Sequence, residues 1–446
     1  MNNFFNTLQN LTKDDNKRNF FYIFYYLFIP ITFIILLLRW RTTFTPIHYP
    51  DYVFPEYLSS FLTTIVYILI FALLVFSIMK SVHLMLLVKD KIYAHPVKIH
   101  AIHIITLIAT SGFLTWALIP PASSSKPYQL FLSNEMGMHG IPNIDLYWYS
   151  SSETQNECYL WNYNTGDKTI FSEENPTNFH LFSFVDLLPN TKYIYSINSG
   201  LNHSFTTSGL DSFRIALGAD SHFGHDLISR PTVYENLLEQ SNDIAYFGIL
   251  GDLTQTGNNK EWDVFFNHTV PYTRSLPFFS TIGNHDAFFN NEPLYGKYLL
   301  PNNENYYQHI PLQQNVHLIL LDYRWGPESV DNAQRQWLIH LLEGMTSEDR
   351  CFIMGHGDLS IEKNHLLPVF EEYSDVISGF FNGHRHRFLK NEIHGIPHYY
   401  VGSLSYMRDH SDLPDNGFLI LDIQPNSFEV SYRNDQNQTL YSQVYT

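Results

Sequence analysis

The chain has 446 residues, room for two or three domains. Its net charge of −17 is unevenly spread: residues 1–126 carry 10 Lys and Arg against 5 Asp and Glu, and the remainder 16 against 38. The acidic remainder argues against a nucleic-acid backbone as main partner, and two cysteines, Cys158 and Cys351, make no disulfide framework.

Three apolar runs open the chain, at 19–38, 59–79 and 101–119. Each is near the ~20 residues that a membrane helix needs, although His103 and several small polar residues interrupt the third. Lys13, Lys17 and Arg18 precede the first run, and Lys80, Lys89, Lys91 and Lys98 separate the second from the third. Only Arg39 and Arg41 lie between the first and second. Basic residues stay on the cytoplasmic side, so three spans predict a multi-pass protein with a cytoplasmic N-terminus and an extracytoplasmic remainder. The bilayer is then a partner. Sequons at Asn202, Asn267 and Asn437 are compatible with that placement. The alternative is two spans with a cytoplasmic remainder.

Pro120 to Pro127 reads as a linker. Short alternating runs follow, at 128–132, 145–149, 159–163, 179–185, 193–197 and 204–207, separated by turn residues. They predict a small all-β sandwich over 126–208. From 209 the pattern changes to strands alternating with helices: strands ending at Leu217, Leu250, Ile282, Leu321 and Met354, and helices near 232–240, 260–268 and 332–342. The end of the chain is rich in strands, at 388–393, 399–401, 418–423 and 428–432.

Five strand ends, the last after the apolar run 376–381, carry the same kind of residue. They read Gly218-Ala219-Asp220-Ser221-His222, Gly251-Asp252, Gly283-Asn284-His285-Asp286, Gly355-His356 and Gly383-His384-Arg385-His386. Side chains at the carboxyl ends of strands in an α/β sheet are where such folds build sites. If the backbone is extended there, Asp220 and His222 share one side, as do His384 and His386. Two Asp, one Asn and four His are too many ligands for one tetrahedral ion and suit two ions sharing a carboxylate. His285 is left over for proton transfer, with Asp286 beside it to orient the ring.

This ordered set of motifs resembles the calcineurin-like metallophosphoesterase family, over roughly residues 212–446. The preceding β segment and the run from Asp331 to Leu338 are similar to those of purple acid phosphatases. The stretch from His180 to Tyr195 is similar to part of a fibronectin type III-like domain. The resemblance implies a four-layer α/β/β/α sandwich, a phosphate-ester substrate and two divalent or trivalent ions (iron, zinc or manganese). It implies that Asp220, His222 and His386 hold one ion, Asn284, His356 and His384 the other, and Asp252 bridges. Metal-bound hydroxide would attack phosphorus, His285 would protonate the leaving oxygen, and Arg385 is a possible phosphate clamp. A phosphomonoester is the expected substrate; a diester in a lipid head group or nucleotide, and a non-catalytic scaffold, are the alternatives. Gln255 stands where the purple enzymes place a tyrosine ligand, so the protein should be colourless. His225, His309, His317, His340 and His398 fall outside the motifs and are not expected among the ligands.

Overall fold

The computed structural model describes residues 125–224, 237, 243–288, 291–300, 305–324, 330–358, 365–405 and 416–446. The three expected membrane spans lie outside them, and among the described residues no helix is long and apolar enough to cross a membrane. The helix expected near 232–240 also lies outside them, apart from the buried Leu237.

Seven strands come first: β1 (Gln129–Met136), β2 (Pro142–Thr154), β3 (Glu157–Asn162), β4 (Lys168–Ser172), β5 (Thr177–Phe184), β6 (Lys192–Ile197) and β7 (His203–Thr206). Next are β8 (Phe213–Gly218), β9 (Tyr246–Leu250), α1 (Asn259–Thr273), β10 (Phe278–Thr281), α2 (Glu292–Leu299), β11 (Gln308–Leu312) and β12 (Val316–Leu320). The rest are α3 (Asn332–Glu343), β13 (Arg350–Gly355), α4 (Leu367–Glu372), β14 (Ile377–Asn382), β15 (Leu389–Ile393), β16 (Ile396–Tyr400), β17 (Gly417–Gln424), β18 (Ser427–Asn434) and β19 (Thr439–Tyr445).

Among the described residues these strands form three sheets. Nine strands run in the order β19-β18-β17-β8-β9-β10-β1-β2-β5, six in the order β11-β12-β13-β14-β16-β15, and four in the order β4-β3-β6-β7. Strands β8, β9 and β10 pair in parallel, as do β12, β13, β14 and β16. Their near-continuous apolar sequences fit burial on both faces. Leu217, Leu250, Leu318, Met354, Phe381 and Leu419 fill one core between the two large sheets. Trp262, Phe265 and Phe266 of α1 and Tyr295 and Tyr298 of α2 cover the other face of the nine-stranded sheet. Leu338 and Leu342 of α3 and Val369 and Phe370 of α4 cover the other face of the six-stranded one. Mixed sheets with few helices, after a β-rich start, fit the expected class.

The β segment forms its own core: Leu146 and Trp148 of β2 and Phe182 and Phe184 of β5 meet Leu160, Tyr195 and Phe205 of the four-stranded sheet. Its strands β1, β2 and β5 also extend the large sheet, because β1 pairs in parallel with β10 through Phe131 and Phe278. At the linker end, the buried Lys126 ammonium bonds Asp263 of α1 at 2.5 Å.

Candidate metal centre

The parallel strands end together, and the turns after them supply the site. Asp220, His222, His356 and Asp286 have no exposed surface, and Asp252 has almost none. Asp220, His222, Asp252 and His386 each offer a ligand atom within 4.8 Å of the others, and Asp252, His356 and His384 do the same. The Asn284 side-chain oxygen joins the second group, 3.0 Å from His356 Nε2 and 3.1 Å from His384 Nδ1. All seven expected ligands thus converge, with Asp252 common to both groups. Four of the five discounted histidines stand apart: His309 pairs with His317, His398 with Asn382, and His340 is on the surface; His225 is outside the described residues.

The backbone that achieves this differs from the expectation. Asp220, His222, Asp252, His384 and His386 have φ of 53°, 43°, 51°, 73° and 52°. The i and i+2 pairs therefore converge through left-handed turns rather than along extended strands. Non-glycine residues adopt that region at a cost, and such residues cluster at functional sites. Hydrogen bonds hold these turns. The His222 N–H donates to the Asp252 carbonyl at 2.9 Å, and the His384 N–H donates to the Asp220 carboxylate at 3.0 and 3.1 Å. The hydroxyls of Ser403 and Ser405 donate to the Asp220 carbonyl. Gly283 is required sterically, since a Cβ there would lie 2.1 Å from the Asp252 backbone nitrogen.

The donor atoms suit cations. His356 Nδ1–H donates to the Leu250 carbonyl at 2.9 Å, which turns the Nε2 lone pair inward. That lone pair faces Asp252 Oδ2 at 3.1 Å and the Asn284 oxygen. Likewise, the Nε2 atoms of His222 and His386 face each other at 3.1 Å, and His386 Nε2 lies 3.3 Å from Asp220 Oδ1. Two donors each about 2.1 Å from one ion lie roughly 3–3.5 Å apart. Burial and His285 lower the pKa of the His222 ring, and burial and His356 lower His384 to about 4. Against burial, Asp252 and Asp220 raise His356 to about 9, and Asp220 and Asp252 raise His386, so an ion binding there would displace protons from these two rings. Neutral rings and ionised carboxylates are the ligating forms. Asp252 supplies the latter: burial pushes its pKa up, but His356, His285 and His222 outweigh it and hold it well below the usual range.

His285 is at the rim, its Nε2 4.0 Å from Asp252 Oδ2. Asp286 does not orient it. His285 Nδ1–H donates to the Gln255 carbonyl at 2.8 Å. The Asp286 carboxylate instead accepts from the N–H groups of Leu253, Thr254 and Gly283 and from the Thr254 hydroxyl. Adjacent side chains on a turn diverge, and three inward backbone donors outcompete one imidazole. Burial and the nearby Asp252 raise Asp286 to about 6, against those four bonds. Arg385 is not free for a phosphate either: its guanidinium pairs with the buried Asp358, which also accepts from the Tyr400 hydroxyl. The Gln255 carbonyl was not foreseeable, because a backbone group leaves no signal in residue type.

The profile of the calcineurin-like phosphoesterases matches residues 213–388. The match covers less than half of the chain, and it makes this stretch similar to that family of phosphate-ester hydrolases. Among solved structures the chain resembles purple acid phosphatase PPD1 from yellow lupin (Lupinus luteus) seeds, at 13% identity over 73% of this chain and 75% of that one, with a TM-score of 0.58. That likeness shows the fold. GAP50, the anchor in the inner membrane complex of Plasmodium, matches 52% of this chain and 88% of its own at 14% identity, with a TM-score of 0.38. No curated protein matches the sequence significantly.

Proposed function

We propose that the chain is a membrane-anchored, dinuclear metal-dependent phosphomonoesterase acting outside the cytoplasm. Residues 1–125 serve as the membrane region, 126–208 as a docking sandwich and 209–446 as the catalytic part of a four-layer fold. The observation that carries the reading is the pair of donor groups sharing Asp252. Asp220, His222 and His386 would hold one ion and Asn284, His356 and His384 the other, with Asp252 within reach of both groups. When bound, two such ions lower the pKa of water and neutralise phosphate charge.

The protein's own residues do the rest. Asp220 and Asp252 give the cage its negative charge. The Gln255 carbonyl keeps the proton of His285 on Nδ1, so Nε2 is the atom that faces a departing ester oxygen. Protonated there, it donates to that oxygen; this is the part that we assign to His285. Asp286 positions the backbone at Leu253, Thr254 and Gly283, and through it both Asp252 and Asn284. The monoester preference rests on the fold shared with the lupin acid phosphatase.

The test uses the full chain in detergent, assayed for metal content and for hydrolysis of p-nitrophenyl phosphate and its bis-ester. Expected are two ions per chain, loss of hydrolysis with chelator, recovery on adding iron, zinc or manganese, and faster turnover of the monoester. Faster turnover of the bis-ester moves the substrate to the diesters. A metal-loaded chain that hydrolyses neither sinks the proposal.

A further inference from the structure

A cavity of about 270 Å³ lies where β1 parts from β10. These parallel strands share one aligned pair, Phe131 with Phe278. Beyond Leu132 the β1–β2 ladder is irregular as far as Met136. Ser133 and its neighbours therefore line an opening instead of continuing a ladder. Strand alternation decides which side chains look into it. Ile144 and Leu146 point into the sandwich core, whereas Asp145 between them lines the cavity. None of the seven metal-site residues lines it.

Its chemistry is one-sided. Asp145 Oδ1 is buried and has no hydrogen-bond partner. Burial pushes the Asp145 carboxyl up, the hydroxyls of Ser183 and Ser133 pull it down, and Glu135 on the rim adds to the rise. Among the described residues that line the cavity, none is Lys, Arg or His. Phe278, Leu299 and Leu300 add apolar surface to a lining that is mostly polar. A buried carboxylate oxygen without a partner is costly, and a cation with N–H donors relieves it. A volume of about 270 Å³, with polar lining and some apolar surface, suits a small organic cation better than a bare metal ion.

We propose that this cavity binds a small organic cation, its primary ammonium head against Asp145 and Ser183 and its short apolar body along Phe131, Phe278 and Leu300. The site is independent of the metal centre and of the proposed hydrolysis. The ammonium nitrogen satisfies Asp145 Oδ1, and contact with the apolar lining side chains removes the alkyl chain from water.

Calorimetric titration of the full chain in detergent with n-butylammonium chloride tests this, with n-butanol as the neutral control and sodium chloride at matched ionic strength. Saturable binding of butylammonium alone is expected, weakened at least tenfold in Asp145→Asn. No saturable heat, equal binding of n-butanol, or unchanged affinity in Asp145→Asn overturns it. If that variant does not fold, Glu135→Gln at the exposed rim replaces it. A several-fold loss of affinity is then expected, and unchanged affinity overturns the proposal.

Discussion

The two imidazole nitrogens of His222 and His386, 3.1 Å apart and both directed at Asp220, show what single residues decide here. Lone pairs face one another around shared carboxylates, so removing one charge should empty the cage. Asp252→Asn should lose bound metal and at least about 100-fold in kcat on p-nitrophenyl phosphate, measured beside its metal content; full metal and full activity would refute the bridging role. His285→Ala should keep both ions and lose about 100-fold to 10,000-fold in kcat, the range of a general acid. Asp286→Ala should act differently: it strands three buried N–H groups, each worth about 1–3 kcal/mol. Its thermal midpoint should fall before its activity can be read. The seven candidate ligands are legible because each lies within four residues after a glycine at the end of an apolar run. Asp286 reads as the orienter of His285 because three of its four donors are backbone N–H groups, and Arg385 as a clamp because its partner, Asp358, is 27 residues away in the sequence.

Elements carry the ligands, and their ends matter most. Asn258 caps α1, accepting from the N–H groups of Lys260 and Glu261, while Glu261 reaches back to the N–H and hydroxyl of Thr256. This cap fixes the loop whose Gln255 carbonyl holds His285. Asn258→Ala should cost about 1 kcal/mol and lower kcat more than it raises KM; unchanged kinetics would separate the loop from the site. Strands β14 and β16 are tied by the buried His398, whose Nε2 bonds Asn382 Oδ1 at 2.8 Å. Burial lowers its pKa from 6.5 to about 4. The unfolded chain therefore takes up this proton first as pH drops. The stability it preserves is complete above about pH 6.5 and is lost progressively toward pH 4. From pH 7 to pH 5 the wild type should lose about 2 kcal/mol more than His398→Gln, read from urea midpoints at the two pH values. The apolar parallel strands, α1 and α3 stood out by periodicity. Strand β4 did not, because its residues Lys168–Ser172 are nearly all exposed. Strand β19 at the sheet edge was missed for the same reason.

The molecule as a whole turns on how the β segment meets the rest. The composition shift at about residue 208 reads as a boundary between a sandwich and a catalytic part. Sheet pairing crosses it: β1 lies against β10, and Tyr147 of β2 donates its hydroxyl to the Lys297 carbonyl of α2. No local pattern reveals such a long-range pairing, because Gln129–Leu132 and Phe278–Thr281 are each ordinary strands. Residues 122–446 accordingly form one compact unit. Strand β10 is also the stem from which Asn284 and His285 hang. A fragment starting at residue 209 would leave Phe278 to Thr281 as a naked hydrophobic border, a template for sticking to its own kind. Such a fragment should elute from gel filtration as aggregate, while one starting at residue 122 runs as a discrete species. Any shortened version of the chain is therefore cut upstream of Lys126, never between the β segment and the cage.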